Sequence, residues 1–553
     1  MAYVKPGVQI TQIAASSSPT LIAPDLVAAV VAPAYQVVPS DGPGSYNYGT
    51  ASSTQNTLIT FSGLTNNMYL DKNSVYVDLV VTNAVTGGLS AGSRLSLQPS
   101  QFNISNGATS FILASGLVST GYNGAKIFCG YRAMRTDLGN QFLTLDSQQA
   151  YNGYFGSTFN QQVWDNPLPF ALSLAGANTG TAVYGVAIKA DDYSSVIASG
   201  TILSENQAAM QVLSTNEVYA IAPYTEDPTT LAAYQVHVDT LSQPINKKER
   251  IAFLAPQINW YTAGGAQVYN PYLADNPTTA NNIQNAVYSV LDKRVFYVYP
   301  DCVYFAVSNC QIQKINPTFI NNMYNLQTNE CAILNSQYTL TDINGNFIAT
   351  YNPGTIITAA VWAVLASAAN VYQYDVLIPM PGCFLAACIA GQVSGENPEQ
   401  GFTNLPFAGP TKLKYSNDWF TESQLNQMET GLGGAYIIVQ VGNSVFARHQ
   451  LSTNATTVEY RELSITKSVD YTAKFIRNTV VGYIGRSLIT PTFITALGTI
   501  INGLGVSLTK NQHLNSFTLT SLAQDSVSLD QVDGIITVVP MYPVDYIDIN
   551  LVF

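Results

Sequence analysis

Charge is what this 553-residue sequence has least of: Asp, Glu, Lys and Arg make up 10% of it, where ordinary soluble domains carry about 25%. The surface must therefore be polar without being charged, built from Asn, Gln, Ser, Thr and Tyr. Such a surface suits packing against copies of itself, because few charges have to be desolvated. Basic runs are absent and the net charge is −12, which argues against direct nucleic-acid binding, since that needs Lys and Arg clustered opposite phosphates. The opening Met-Ala-Tyr-Val-Lys-Pro-Gly has no basic region leading into a long apolar one, so no secretory signal is expected there. The most apolar stretch, 355–370, is shorter than the ~20 residues a bilayer span requires and is rich in Ala, Ser and Thr. A buried helix is expected from it, and no membrane insertion.

Reactive side chains are also few. Cys129, Cys302, Cys310, Cys331, Cys383 and Cys388 show neither the regular spacing of a disulfide framework nor ligand pairs beside histidines, so buried free thiols are expected. His237, His449 and His513 stand far apart with no nucleophile motif near them. After Ala222-Pro223 the turn is Tyr-Thr-Glu-Asp-Pro, whose acids would repel a phosphate rather than cradle it. Residues 342–346 resemble the start of a calcium loop but lack the Gly at its sixth position and the Glu at its twelfth, where Pro353 stands. A plain hairpin turn is expected. The sequence thus offers no catalytic, cofactor-binding or metal-binding residues, and the chain is not expected to be an enzyme.

What is there begins with the tail. After Pro543, Ile547, Ile549, Leu551 and Phe553 alternate with Tyr546, Asp548 and Asn550, the period of a half-buried strand. A terminal strand has unpaired backbone groups on both edges and one apolar face to cover, so it needs a host sheet. Near the other end Val8, Gln9, Ile10 and Thr11 alternate in the same way, between the stiff Pro6-Gly7 and the small residues 14–19.

Between these ends the chain is long enough for two to four domains. Residues 27–32 read as a buried core strand. Residues 41–126 are rich in Gly, Ser, Thr and Asn, with strand-like 75–81 and Asn-Gly turns at Asn106-Gly107 and Asn123-Gly124. From Tyr131 strands and helices alternate. Ser204 to Gln207 fits a capping box, Asp227-Pro228 starts a helix carrying Leu231, Tyr234, Val238 and Leu241, and 250–255 and 295–299 return as strands, the pattern of a parallel crossover. Further on, Ser468 is expected to cap a helix with Val469, Ala473, Ile476, Val480 and Tyr483 on one face and Lys474 and Arg477 on another. Thr490-Pro491 opens a last helix that Gly503 and Gly505 should stop, before strands at 517–522 and 535–539.

The expected fold is a multidomain α+β or α/β chain: a mixed-sheet core, an inserted all-β domain, and extended N- and C-terminal strand arms. Its parts are an arm at 1–25, a core strand at 26–40, a β-rich insertion at 41–126, an α/β domain at 127–310, a smaller insertion at 311–375, a C-terminal core domain at 376–539 and an arm at 540–553.

Several segments in order are similar to one family. Lys5-Pro6-Gly7-Val8-Gln9-Ile10, Tyr131 through Leu138, Asp165-Asn166-Pro167-Leu168, Glu217 through Pro223, Ser242-Gln243-Pro244 to Glu249-Arg250, 387–406 with Gly401-Phe402-Thr403-Asn404-Leu405-Pro406, and the tail after Pro543 together resemble the tail sheath proteins of contractile bacteriophages. The likeness spans most of the chain outside 41–126 and 311–375. It implies a homo-oligomer of stacked sheath rings around a tail tube protein, with baseplate and tail terminator proteins as further partners. It also implies a virion location after assembly in the host cytoplasm, and contraction that drives the tube through the host envelope. The resemblance further implies that Val8, Gln9, Ile10 and Thr11, and Tyr546, Ile547, Asp548, Ile549, Asn550 and Leu551, add to a sheet in neighbouring subunits. Lys474 and Arg477 are candidates to face the tube. The alternative is a receptor- or glycan-binding, or hydrolytic, virion surface protein with 41–126 as its binding module.

Overall fold

The computed structural model describes residues 26–38, short segments between 46 and 155, 166–188, 201–256, short segments between 261 and 268, 277–300, 302–317, 332–413 and 422–544, with isolated single-residue omissions. Both expected arms, Val8 to Thr11 and Tyr546 to Leu551, lie outside the described residues, as do the two Asn-Gly turns of 41–126.

The core is a large mixed sheet. In chain order it takes β1 (Ala28–Pro33), β2 (Phe142–Leu145), β3 (Val183–Ile188), β4 (Ala220–Pro223), β5 (Ile251–Leu254), β6 (Val295–Tyr299), β7 (Tyr436–Val441) and β8 (Ser444–His449). In space the order is β2-β3-β1-β4-β5-β6-β7-β8. The inner strands from β3 to β7 run parallel, and β2 and β8 run antiparallel at the edges. All six residues of β1 are buried, as a strand covered on both faces of a parallel sheet must be, which explains its unbroken apolar run.

The crossover helices are α1 (Pro167–Ala177), α2 (Thr201–Thr215), α3 (Pro228–Ser242) and α4 (Pro277–Tyr288). The Asp227 carboxylate accepts from Thr230 N at 2.8 Å and caps α3, with Leu231, Tyr234 and Val238 buried. Helix α2 starts before the expected box at Ser204. Met210, Leu213 and buried Asn206 recur at helical spacing on its inner face, so packing sets its start rather than the box.

An antiparallel sheet of Ile333–Leu334, Gln373–Pro381, Cys302–Gln311 and Pro410–Leu413 lies beside the core. The hairpin of Tyr338–Thr341 and Phe347–Tyr351 turns through Gly345 at φ +81°, and Asp342 accepts from Asn344 N and Asn346 N at 2.8 Å each. The turn itself uses this carboxylate. Helix α5 (Ala359–Ser367) departs from the expected buried helix, since Leu365 is its one buried residue. It lies on the surface, with Trp362 Nε1 donating to Ile312 O at 3.0 Å.

The buried helix is instead α6 (Gly382–Gly395), buried from Gly382 to Ser394. A Cβ on Gly391 would sit 2.1 Å from Ala175 O, so glycine there lets α6 cross α1 at backbone contact. Cys383 and Cys388 on α6 are free and buried, and Cys129 and Cys310 are buried as well. In the described part of 41–126, strands at 46–47, 68–70 and 76–80 pair with the long strand Lys126–Arg135, Thr57–Thr60 and Ser110–Leu113 form a separate two-stranded sheet, and an apolar cluster gathers around Phe61, Leu70, Val77, Leu79 and Ile127. Further elements are α7 (Glu422–Glu429), α8 (Leu463–Val480), α9 (Pro491–Lys510), β9 (Leu514–Gln524) and β10 (Val532–Pro540).

Candidate functional site

β9 and β10 form a long antiparallel hairpin, in register from Leu514 opposite Pro540 to Gln524 opposite Val532, with irregularities after Leu514 and Leu519. Among the described residues neither strand pairs with a third. Each outer edge therefore presents backbone donors and acceptors of the kind that template further strands. A two-stranded hairpin is marginal alone and needs a packing partner. That partner is α9. Thr490 caps it by accepting from Phe493 N at 3.1 Å, as expected, but the helix runs through Gly503 and Gly505 to Lys510. Gly505 does not stop it: a Cβ there would lie 2.2 Å from the Phe517 ring, so the glycine admits β9 onto the helix. Helix α9 has the length and composition of a bilayer span; its Leu504 and Leu508 are buried in this packing. Around the module, Val481, Ile484, Leu488, Val506, Val527, Leu529 and Ile535 are exposed.

Helix α8 holds the module to the core. It begins at Leu463 rather than at Ser468, whose hydroxyl donates to His513 O at 2.6 Å from within the helix. Its buried face is also not the expected one. Val469 is exposed, while Asp470, Lys474 and Phe475 are buried. The reason lies in three adjacent parallel strands, β4, β5 and β6, each of which is preceded by a charged residue: Glu217, Glu249 and Arg294. Asp470 accepts from Arg294 and from Tyr219 Oη at 3.2 Å. Lys474 Nζ lies 3.5 Å from Glu217, and Arg477 bonds both oxygens of Glu249 at 2.9 and 2.5 Å. The helix lies along the leading edge of the sheet through charge pairs that the sequence pattern reads as solvent-facing.

Titration follows this pairing. Burial alone would raise the Glu249 carboxyl, but hydrogen bonds from Arg477 and the backbone outweigh it and hold it below the usual range. Burial lowers Lys474 against the opposing pull of Glu217, Glu249 and Asp470. Burial, then the Asp470 charge, push the Tyr219 phenol well up. On the same helix Lys467 is fully enclosed, donates to Glu396 O at 3.3 Å and lies 4.6 Å from the centre of the Phe402 ring. Burial brings its pKa down to about 7 despite Glu396 and Glu399.

Of the residues singled out from sequence, Lys474 and Arg477 are thus brought together, facing acids of their own chain. The three histidines have separate partners: His237 against Arg250 at 3.2 Å, His449 against Glu462 at 3.1 Å and His513 against Glu399 at 2.6 Å. Among the described residues no three His, Cys, Asp or Glu side chains converge as a metal site requires. The open hairpin was legible only as two separate strands, because periodicity reports that a strand is half-buried and not how many neighbours it has.

No family model matches the sequence, and no curated protein does. Among solved structures the chain is similar to the sheath complex of the extracellular contractile injection system PVC in its contracted state, with 11% identity over 75% of this chain and 87% of that chain and a TM-score of 0.44. It is similar to the helical sheath of the anti-feeding prophage in its contracted state, with 11% identity, 75% and 89% coverage and a TM-score of 0.45. It is also similar to the sheath tail protein of Listeria innocua, with 8% identity, 96% and 98% coverage and a TM-score of 0.36.

Proposed function

We propose that this chain is a structural subunit of a contractile tail sheath, polymerising as a helical lattice around a tail tube and contracting to drive that tube through a host cell envelope. The observation that carries the reading is the β9–β10 hairpin, a two-stranded sheet with two open edges on a chain whose two ends each carry a strand pattern. One arm from each of two other copies would complete a four-stranded sheet. Five residues of strand addition supply several backbone hydrogen bonds at about 0.5–1.5 kcal/mol each. Burial of Ile547, Ile549 and Leu551 adds about 1.5–3 kcal/mol apiece before ordering costs. One such link is modest, and a lattice repeats it at every subunit.

The sequence segments similar to phage tail sheath proteins support a phage virion as the setting, with tube, baseplate and terminator proteins as partners and assembly in the host cytoplasm. In this reading Lys474 and Arg477 serve the tube-facing side indirectly, by fixing the module against Glu217 and Glu249. The scaffold carries no catalytic role. Electron microscopy of the purified chain tests the proposal: the full sequence should form striated tubes, and a chain lacking 544–553 should stay folded and dispersed. Failure of the full chain to form tubes or rings sinks the sheath reading; normal tubes from the shortened chain sink the arm linkage alone.

A further inference from the structure

The turn from α3 into β5 is held rigidly. Asn246 N and Lys247 N donate to Gln243 O at 2.9 and 3.1 Å, and the Asn246 side chain donates to Thr240 O at 2.6 Å. Arg477 on α8 donates to Lys247 O at 2.8 Å, with Lys247 at φ +59°, a left-handed backbone that a lysine adopts only at a cost. The turn carries Ile245 at 81% exposure, with exposed Lys247 and half-buried Lys248 after it. A lone exposed aliphatic residue is ordinary on a protein surface. This one stands on a pre-organised turn, so burying it against a partner costs little further ordering.

The same chain carries a receptor of matching chemistry. Beyond the end of α8 a cavity of about 670 Å³ opens between the loop into α9, the first turns of α9 and the β9–β10 turn, with Tyr483, Ile489, Phe493, Leu497, Val532 and Asp530 in its wall. Ile484 and Leu488 in the loop, and Val527 and Leu529 in the β-turn, are exposed beside or within that wall. The β-turn is acidic, with Asp525, Asp530 and Asp533 against Arg486 in the loop. Asp525 is used inside the turn, accepting from Val527 N and Ser528 N at 2.6 Å each. Asp530 is exposed and belongs to the cavity.

We propose that this cavity receives the 244–247 turn of a second copy of this chain, with Ile245 against its aromatic and aliphatic wall and the Lys247 amine on Asp530. Charge complementarity selects the occupant. Two copies of net charge −12 repel over most of their surfaces, and a lysine-bearing apolar turn entering an acidic apolar cavity is a pairing that does not. The molecule's own turn is not the occupant, because its bonds hold Ile245 out in solvent. The cavity is of the size that admits a small group of side chains rather than a single methyl. This contact uses neither open edge of the β9–β10 hairpin, so it is a second link between copies, independent of the strand arms.

The test follows self-association of the full chain by sedimentation over a concentration series at low and high salt. The parent should associate, and less readily as salt screens the lysine–aspartate contact. Ile245→Asp should raise the protein concentration required by at least about tenfold, the worth of one buried aliphatic side chain. Lys247→Glu and Asp530→Lys should each raise it severalfold, and both together in one chain should bring it back toward the parent's, because the exchanged charges meet again. All three positions are exposed, so every variant should unfold at the parent's temperature. A parent that stays monomeric overturns the contact. An Ile245→Asp chain that associates like the parent, or a double variant no better than its singles, also overturns it and gives the cavity to another partner. Deleting 544–553 leaves both halves of this contact in place, so failure of the arm linkage and failure of this contact are separate results.

Discussion

Arg294 and Asp470, 176 residues apart in sequence, meet through two parallel hydrogen bonds of 2.6 and 2.8 Å between the residue that leads into core strand β6 and the helix that carries the hairpin module. The side chains are 12% and 4% exposed, and burial would lower Arg294 were its pKa not held up by the Asp470 charge. Such a pair stabilises little relative to well-packed apolar residues, but breaking one half leaves a buried charge without its partner.

Asp470→Asn should therefore cost about 3–5 kcal/mol of unfolding free energy, and the double change Arg294→Met with Asp470→Leu should recover most of it. Urea denaturation of the three proteins measures both. A single variant within 1 kcal/mol of the parent would show that the pair is hydrated and not a joint.

How much of this was legible in sequence varies with how local each signal is. The apolar run at Ala28–Pro33 and the Asp227-Pro228 start of α3 depend on neighbours within a few residues, and the structure has both. Lys474 and Arg477 looked like a solvated face because their partners, Glu217 and Glu249, lie more than 200 residues away; no helical period reports a distant opposite charge. Gly505 looked like a stop because glycine more often ends a helix than admits a neighbouring strand.

Gly505 gives a test of whether the module is separable from the core. A larger side chain there meets the Phe517 ring directly and is expected to lift β9 off α9. Gly505→Leu should abolish amide-exchange protection along 514–540 while protection of β1 and α6 remains near the parent's, because those elements pack chiefly on one another and on α1, β3 and β4. On the proposed function the variant should also stay dispersed where the parent forms tubes. Loss of protection throughout the chain would instead make hairpin and core one cooperative unit.

Lys467 sets the pH dependence of that joint. Its amine is enclosed on α8 under the Phe402 ring, with Glu396 and Glu399 nearby and His513 on Glu399. Its folded pKa is about 7, down from 10.5, so between those values the unfolded chain holds a proton that the folded chain does not. Stability must then rise with pH across that window, and below about pH 7 the full penalty of burying the charged amine applies. Lys467→Met removes the penalty. The variant should gain on the parent near pH 6 by a few kcal/mol at most, and the gain should shrink steadily toward about pH 10. The difference between the two denaturation curves isolates this one substitution, since every other side chain is common to both proteins. Curves that run parallel over the whole range would mean that Lys467 keeps its proton in the folded chain, at odds with its full enclosure on α8.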